Sequence, residues 1–185
     1  SKEAKNVIRK SLELYPRNLM LNQMQADFYS LKKQNSKILF DCKDPTNVAA
    51  EILYIAANAL STQSIYSSAN FYINLAKYLN PNFVYYNVLL AENYYMLGNY
   101  KTAKEMYKNI SNYGSVFKWY SFKQVSSILF YQNKKDESYK SLNKAFNEIE
   151  KPNVYEIFDF AEFFKENEKF EEASKLYTNL LKLID

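Results

Sequence analysis

The feature that most constrains this chain is a repeat register. In LAENYYMLGNYKTAKEMY, Leu90 to Tyr107, the residues Leu90, Ala91, Tyr94 and Leu97 and then Tyr100, Ala103 and Tyr107 fall at helical spacings on either side of a turn at Gly98 and Asn99. Thirty-four residues earlier the same order of small and large residues is met at Ala56, Ala57, Leu60, Tyr66, Ala69 and Ile73. Thirty-five residues later it returns as Val125, Ser126, Leu129, Lys135, Ser138 and Leu142, and after another 35 as Phe160, Ala161, Phe164, Phe170, Ala173 and Tyr177. Four units of helix, turn and helix therefore share one register.

The small residues have a packing reason. Two helices joined by a short turn approach closely only where side chains are short. Ala57, Ala91, Ser126 and Ala161 are expected on the first helix of each hairpin, facing Ala69, Ala103, Ser138 and Ala173 on the second. Tyr66, Tyr100 and Phe170 are then expected to fill the hairpin corners. Leu60, Tyr94, Leu129 and Phe164 are assigned to the gaps between hairpins. Two glycines and four prolines in 185 residues are too few for strands and tight hairpin turns, so the fold class is all-α. With 18 Tyr and 13 Phe there is enough aromatic bulk for a core.

Small, aromatic and loop-proline positions in this order resemble the tetratricopeptide repeat, a helical hairpin of 34 residues. The resemblance implies a right-handed α–α superhelix, a solenoid of antiparallel hairpins, as a single domain over residues 1–185. Residues 1–18, with EAKNVIRKSLELYPRN, resemble the second helix of a truncated repeat and its proline-containing exit loop, a pattern repeated at Asn80, Pro81 and Asn82. Residues 19–44 form an irregular unit with Ala26 and Tyr29 in its first helix and a short second helix near Ser36 to Cys42. Full units follow at 45–82, 83–115, 116–152 and 153–185, with Asp44 and Pro45 capping and starting the first of them. Another α-hairpin solenoid is the structural alternative. The segment from Asp44 to Phe83 is also similar to repeat proteins of alphaproteobacteria, which points to a bacterial source. Ser1 to Glu13 reads as the middle of a repeat, leaving room ahead of it for further repeats or a signal peptide, so cytoplasm and periplasm both stay open.

Catalytic chemistry is sparse. Without histidine the commonest general base and metal ligand is missing, and two isolated glycines write neither a GxGxxG turn nor a P-loop. Glu162, Glu166, Glu168, Glu171 and Glu172 alternate with Lys165, Lys169 and Lys175 at intrahelical ion-pair spacings and read as a solvated face. Cys42 closes no internal disulfide and reads as a passive residue. Trp119 follows Gly114 and Ser115 at a helix start and is expected to pack on the adjoining hairpin. The sequence thus reads as a non-enzyme with no cofactor and no metal. A net charge of +4 from 24 basic and 20 acidic interleaved residues gives little support to nucleic-acid binding, and no run of about 18 apolar residues spans a membrane.

In the tetratricopeptide family the first helices line a ligand groove. The resemblance places Tyr54 and Asn58, Tyr85, Glu92 and Tyr95, Tyr120 and Lys123, and Tyr155 and Phe158 on that surface, together with Ser61, Val88, Ser127 and Glu162. Chaperone-binding members use a Lys, Arg and Asn clamp for a peptide carboxylate. Only Asn58 and Lys123 match it in kind, while Glu92 and Glu162 repel a carboxylate. The expected function is a protein-binding scaffold holding a peptide or protein segment in a tyrosine-rich groove. The alternative is the repeat module of a larger enzyme, such as a transferase, with RNA binding as a weaker third reading. Exposed stacking faces at the two ends make a homodimer a further expectation.

Overall fold

The structure, a computed structural model, describes residues 2–29, 40–149 and 152–184. Among them it is all-helical, with no strand. The helices are α1 (Lys2–Leu14), α2 (Leu19–Tyr29), α3 (Pro45–Thr62), α4 (Tyr66–Leu79), α5 (Tyr85–Met96), α6 (Tyr100–Ile110), α7 (Ser115–Tyr131), α8 (Lys135–Asn147), α9 (Val154–Glu166) and α10 (Phe170–Ile184), with a 3₁₀ turn at Ser111–Tyr113. None is long and apolar enough to cross a membrane. Of the short helix expected near Ser36 to Cys42, the part up to residue 39 lies outside the described residues. Residues 40–44 form a turn, and Cys42 there is exposed.

From α3 onward, helices adjacent in the chain pack on one another, most extensively within the pairs α3–α4, α5–α6, α7–α8 and α9–α10. All eight register residues, Ala57, Ala69, Ala91, Ala103, Ser126, Ser138, Ala161 and Ala173, are buried. In the third pair the approach is close enough for reciprocal side-chain to backbone bonds. Ser138 Oγ donates to the Ser126 carbonyl at 2.7 Å, and Ser126 Oγ to the Ser138 carbonyl at 3.3 Å. A serine at a crossing point is therefore fully paired, which is why it substitutes for alanine without orphaning a hydroxyl.

The turn inside each pair recurs as regularly as the small residues. Ser64, Gly98, Asn133 and Glu168 all have positive φ, between 59° and 73°. The residue after each, Ile65, Asn99, Lys134 or Lys169, donates its N–H to the carbonyl five residues back, on Leu60, Tyr94, Leu129 or Phe164, at 2.9 Å in every case. This is the left-handed helix ending that glycine serves best, here occupied by glycine only once.

Three apolar clusters tie the pairs together. One joins α3 and α4 to α5 through Ala57, Ile73, Tyr86 and Leu90. A second joins α5 and α6 to α7 through Ala91, Tyr107, Ile110, Phe117 and Ile128. The third joins α7 and α8 to α9 and α10, where Trp119 packs on Phe146 and Phe160, and those two rings stack at 4.2 Å. Buried amides add a polar staple: Asn93 Nδ2 on α5 donates to Asn70 Oδ1 on α4 at 2.8 Å. Phe170 departs from the expected corner role and is 65% exposed. Tyr100, by contrast, is half-buried against Tyr95. Asp44 caps α3 by accepting from Thr46 N at 2.9 Å, with Pro45 in the first turn.

The first two helices break the chain-order rule. Besides packing on α1, α2 packs on α7, across the stack.

Candidate functional site

A cavity of about 440 Å³ lies where the first helices of the four pairs converge. Helix α3 contributes Tyr54 and Asn58, α5 contributes Tyr85, Val88, Leu89 and Glu92, and α7 contributes Val116, Trp119, Tyr120, Lys123 and Gln124. Helix α9 contributes Tyr155, Glu156 and Asp159, and its cap residue Asn153 completes that wall. The spacings follow from helix geometry, since 85, 88, 89 and 92, like 116, 119, 120 and 123, repeat at three and four residues and so share one face.

Seven of the nine residues assigned to a groove from the sequence line this cavity: Tyr54, Asn58, Tyr85, Glu92, Tyr120, Lys123 and Tyr155. Tyr95 and Phe158 lie outside it. Tyr95 sits one turn beyond Glu92 and packs on Tyr100 and Tyr131, at ring distances of 5.8 and 6.3 Å. Phe158 is turned away because the inward face of α9 runs through 155, 156 and 159, and its ring instead meets Tyr177 on α10 at 6.2 Å. Of the four further positions, Val88 lines the cavity and Ser61, Ser127 and Glu162 do not. Glu162 accepts from the Tyr177 hydroxyl and pairs with Lys165 on the outer face, and those two partners hold its carboxyl below the usual range.

Trp119 belongs to both descriptions, buried among α8 and α9 residues yet lining the cavity floor; its indole N–H is enclosed without a hydrogen-bond partner in the protein. The residues that sequence reasoning missed are Leu89, Val116, Gln124, Asn153, Glu156, Asp159 and the whole of the opposite wall. Asp159 was legible in principle as the position four after Tyr155. The opposite wall was not.

That wall is the turn between α1 and α2, with Pro16, Arg17, Asn18, Leu19 and Asn22. Five contacts hold it. Arg17 Nη1 donates to Asp159 Oδ1 at 2.9 Å, and the guanidinium lies 5.3 Å from the centre of the Tyr155 ring. The Tyr85 hydroxyl accepts the Met20 N–H at 2.7 Å and donates to Asn18 Oδ1 at 3.1 Å, so it satisfies one of the free amides at the start of α2. The buried Gln23 Oε1 accepts from Val116 N at 2.9 Å. That amide belongs to the first turn of α7, whose cap residue Gly114 offers no side chain. Gly114 is needed twice over: its φ is +149°, and a Cβ there would lie 2.2 Å from the Gln23 amide.

Burial sets the protonation of the cavity. It raises the Tyr54 and Tyr120 hydroxyls well above the usual tyrosine value, with neighbouring Glu92 adding to the effect, and raises Tyr85 against the opposing Met20 N–H bond. All three are therefore hydrogen-bond donors at neutral pH. Burial also lifts the Glu92 carboxyl, opposed by the 2.6 Å bond from Tyr120. Glu156 is raised by burial too, opposed by the Asn153 N–H in the capping box at the start of α9. Lys123 Nζ donates to Asp159 Oδ2 at 2.5 Å. Such a lining presents aromatic faces and hydrogen-bonding groups to the cavity. Among the described residues no group of three or more Cys, Asp and Glu side chains is arranged to hold a metal ion.

Comparison with protein-family models and with curated proteins finds no match for this sequence.

Proposed function

We propose that the chain is a tetratricopeptide-like α-hairpin solenoid that acts without catalysis, holding a protein or peptide segment against the tyrosine-lined faces of α3, α5, α7 and α9. The observation that carries this reading is a cavity walled by four first helices and by the chain's own α1–α2 turn. Four first helices present tyrosines, an amide and carboxylates to one space, and a polypeptide turn already sits there on Tyr85, Tyr155 and Asp159. The recurring turn geometry at Ser64, Gly98, Asn133 and Glu168 supports the repeat assignment, because steps of 34, 35 and 35 residues return the same backbone conformation. Aromatic anchors beside paired polar groups are the composition of surfaces that concentrate binding energy in a few contacts.

A photo-crosslinking amino acid at position 58, exposed at the cavity rim, tests the reading in cells of the native source. A discrete protein adduct is expected from position 58 and none from position 72 on α4. Tyr85→Ala with Tyr155→Ala should remove the adduct. Equal labelling from both positions would contradict the proposal.

A further inference from the structure

We propose that Asp159 and Tyr155 form a guanidinium subsite in the cavity, with Lys123 holding the second Asp159 oxygen, that Arg17 is its built-in occupant, and that the external partner displaces Arg17 with an arginine just ahead of a helix start. This rests on the cavity being a protein-binding groove.

The residue type is the first support. Of the 24 basic residues only two are arginines, Arg9 and Arg17, so at the cavity a lysine-rich sequence departs from its habit. A planar guanidinium does here what an ammonium does less well, donating to a carboxylate while lying against an aromatic face. The second support is the asymmetry of enclosure. The Asp159 side chain is 15% exposed and that of Arg17 55% exposed. The socket thus belongs to the stack, and the plug is applied from outside.

Charge gives the third. Without the α1–α2 turn, the charged cavity residues on the stack are three carboxylates, Glu92, Glu156 and Asp159, and one cation, Lys123. Lys123 takes one Asp159 oxygen and leaves the other, Oδ1, for a second cation. The fourth is the contact next to it, where the Tyr85 hydroxyl accepts the Met20 N–H and donates to Asn18 Oδ1. Together they read an arginine, then a capping residue, then the first free amides of a helix. The occupant is therefore a peptide of that pattern, with the chain's own α1–α2 turn as its competitor.

The test uses the whole chain and a fluorescent peptide with the sequence of residues 14–23, LYPRNLMLNQ. Arg17→Ala should raise peptide affinity at least about tenfold over the unsubstituted chain, since a tethered occupant competes at an effective concentration in the millimolar range. Adding Asp159→Asn should abolish that gain, and a peptide with alanine in place of its arginine should bind neither chain. Circular dichroism melting confirms that each variant is folded. Should Arg17→Ala fail to fold, Gln23→Ala, which loosens the same turn from α7, supplies the comparison. Equal affinity for the substituted and unsubstituted chains, or equal binding of the arginine-free peptide, would overturn the proposal. If either result came with the position-58 adduct intact, the groove would stand and the subsite would fall; loss of both would remove the groove itself.

Discussion

The stack from α3 to α10 and the α1–α2 hairpin are held by different forces. The stack closes on residues with no exposed surface, such as Ala57, Ala69, Ile73, Ala91, Ala103 and Ile128, so its stability comes from apolar burial and close approach. The hairpin leaves Val7 and Leu14 largely exposed and meets the stack through Arg17–Asp159, Tyr85–Met20 and Gln23–Val116, with Leu19 and Met20 packed at the edge of the central cluster. Exposed or partly exposed polar contacts of this kind contribute little each. The lesson is that one part of the molecule is a scaffold and the other a docked element, and substitutions should separate them.

The largest effect is expected in the stack. Ala69→Leu inserts bulk where α3 and α4 touch and should cost about 3 kcal/mol in chemical denaturation, as overpacking in a closed core does. A loss below about 1 kcal/mol would mean that the helices can part, and the contrast with the hairpin would shrink. Next comes the hairpin. Gln23→Ala leaves the Val116 N–H without its partner, a loss of about 1–2 kcal/mol that should appear as release of α1 and α2 with the stack intact, read from loss of NMR contacts between α2 and α7.

Glu92 probes the boundary between the two regions. Its raised carboxyl value means the folded protein holds that proton more tightly than the unfolded chain does. The resulting advantage is complete below the unfolded carboxyl range and is lost as pH rises through the folded value, so at neutral pH the buried charge is a cost. Glu92→Gln keeps an acceptor for Tyr120 and should raise the melting temperature by roughly 2–4 °C at neutral pH, with no gain in acid, where both forms are neutral. No change at neutral pH would show that water reaches Glu92 past the docked turn.

The smallest effect concerns the turns. Glu168→Gly relieves a left-handed conformation and should add about 0.5–1 kcal/mol, whereas Gly98→Ala, at a position where a Cβ meets nothing within 4 Å, should lose a similar amount through backbone strain alone.

Much of the stack was legible because its constraint is local and repeated. A crossing point tolerates only Ala or Ser, so Ala57, Ala91, Ser126 and Ala161 announce their partners on the second helices. The turns were read only at Gly98; Asn133 carries the next most favoured residue for that φ, whereas Ser64 and Glu168 adopt it without a residue type that signals it. Phe170 matched the register of Tyr66 and Tyr100 yet is exposed, because the register records spacing and not the neighbour: Tyr100 packs on Tyr95, whose counterpart 70 residues on is Lys165. In the cavity, the resemblance placed Tyr54, Asn58, Tyr85, Glu92, Tyr120 and Lys123 correctly on α3, α5 and α7 but overran them at Ser61, Tyr95 and Ser127, and on α9 the inward face passes through Asp159 and not Phe158. The docking of α1–α2 left no local mark. Arg17 and Asp159 are 142 residues apart and are ordinary surface types, and nothing near either one names the other.

Native-state hydrogen exchange on the whole chain tests the distinction between scaffold and docked element most directly. The amides of α1 and α2 should open together, at a free energy well below that of the α5 and α7 amides, and Arg17→Ala should lower protection in α1 and α2 alone. Equal protection in both regions, falling together in Arg17→Ala, would show one cooperative unit and contradict the account.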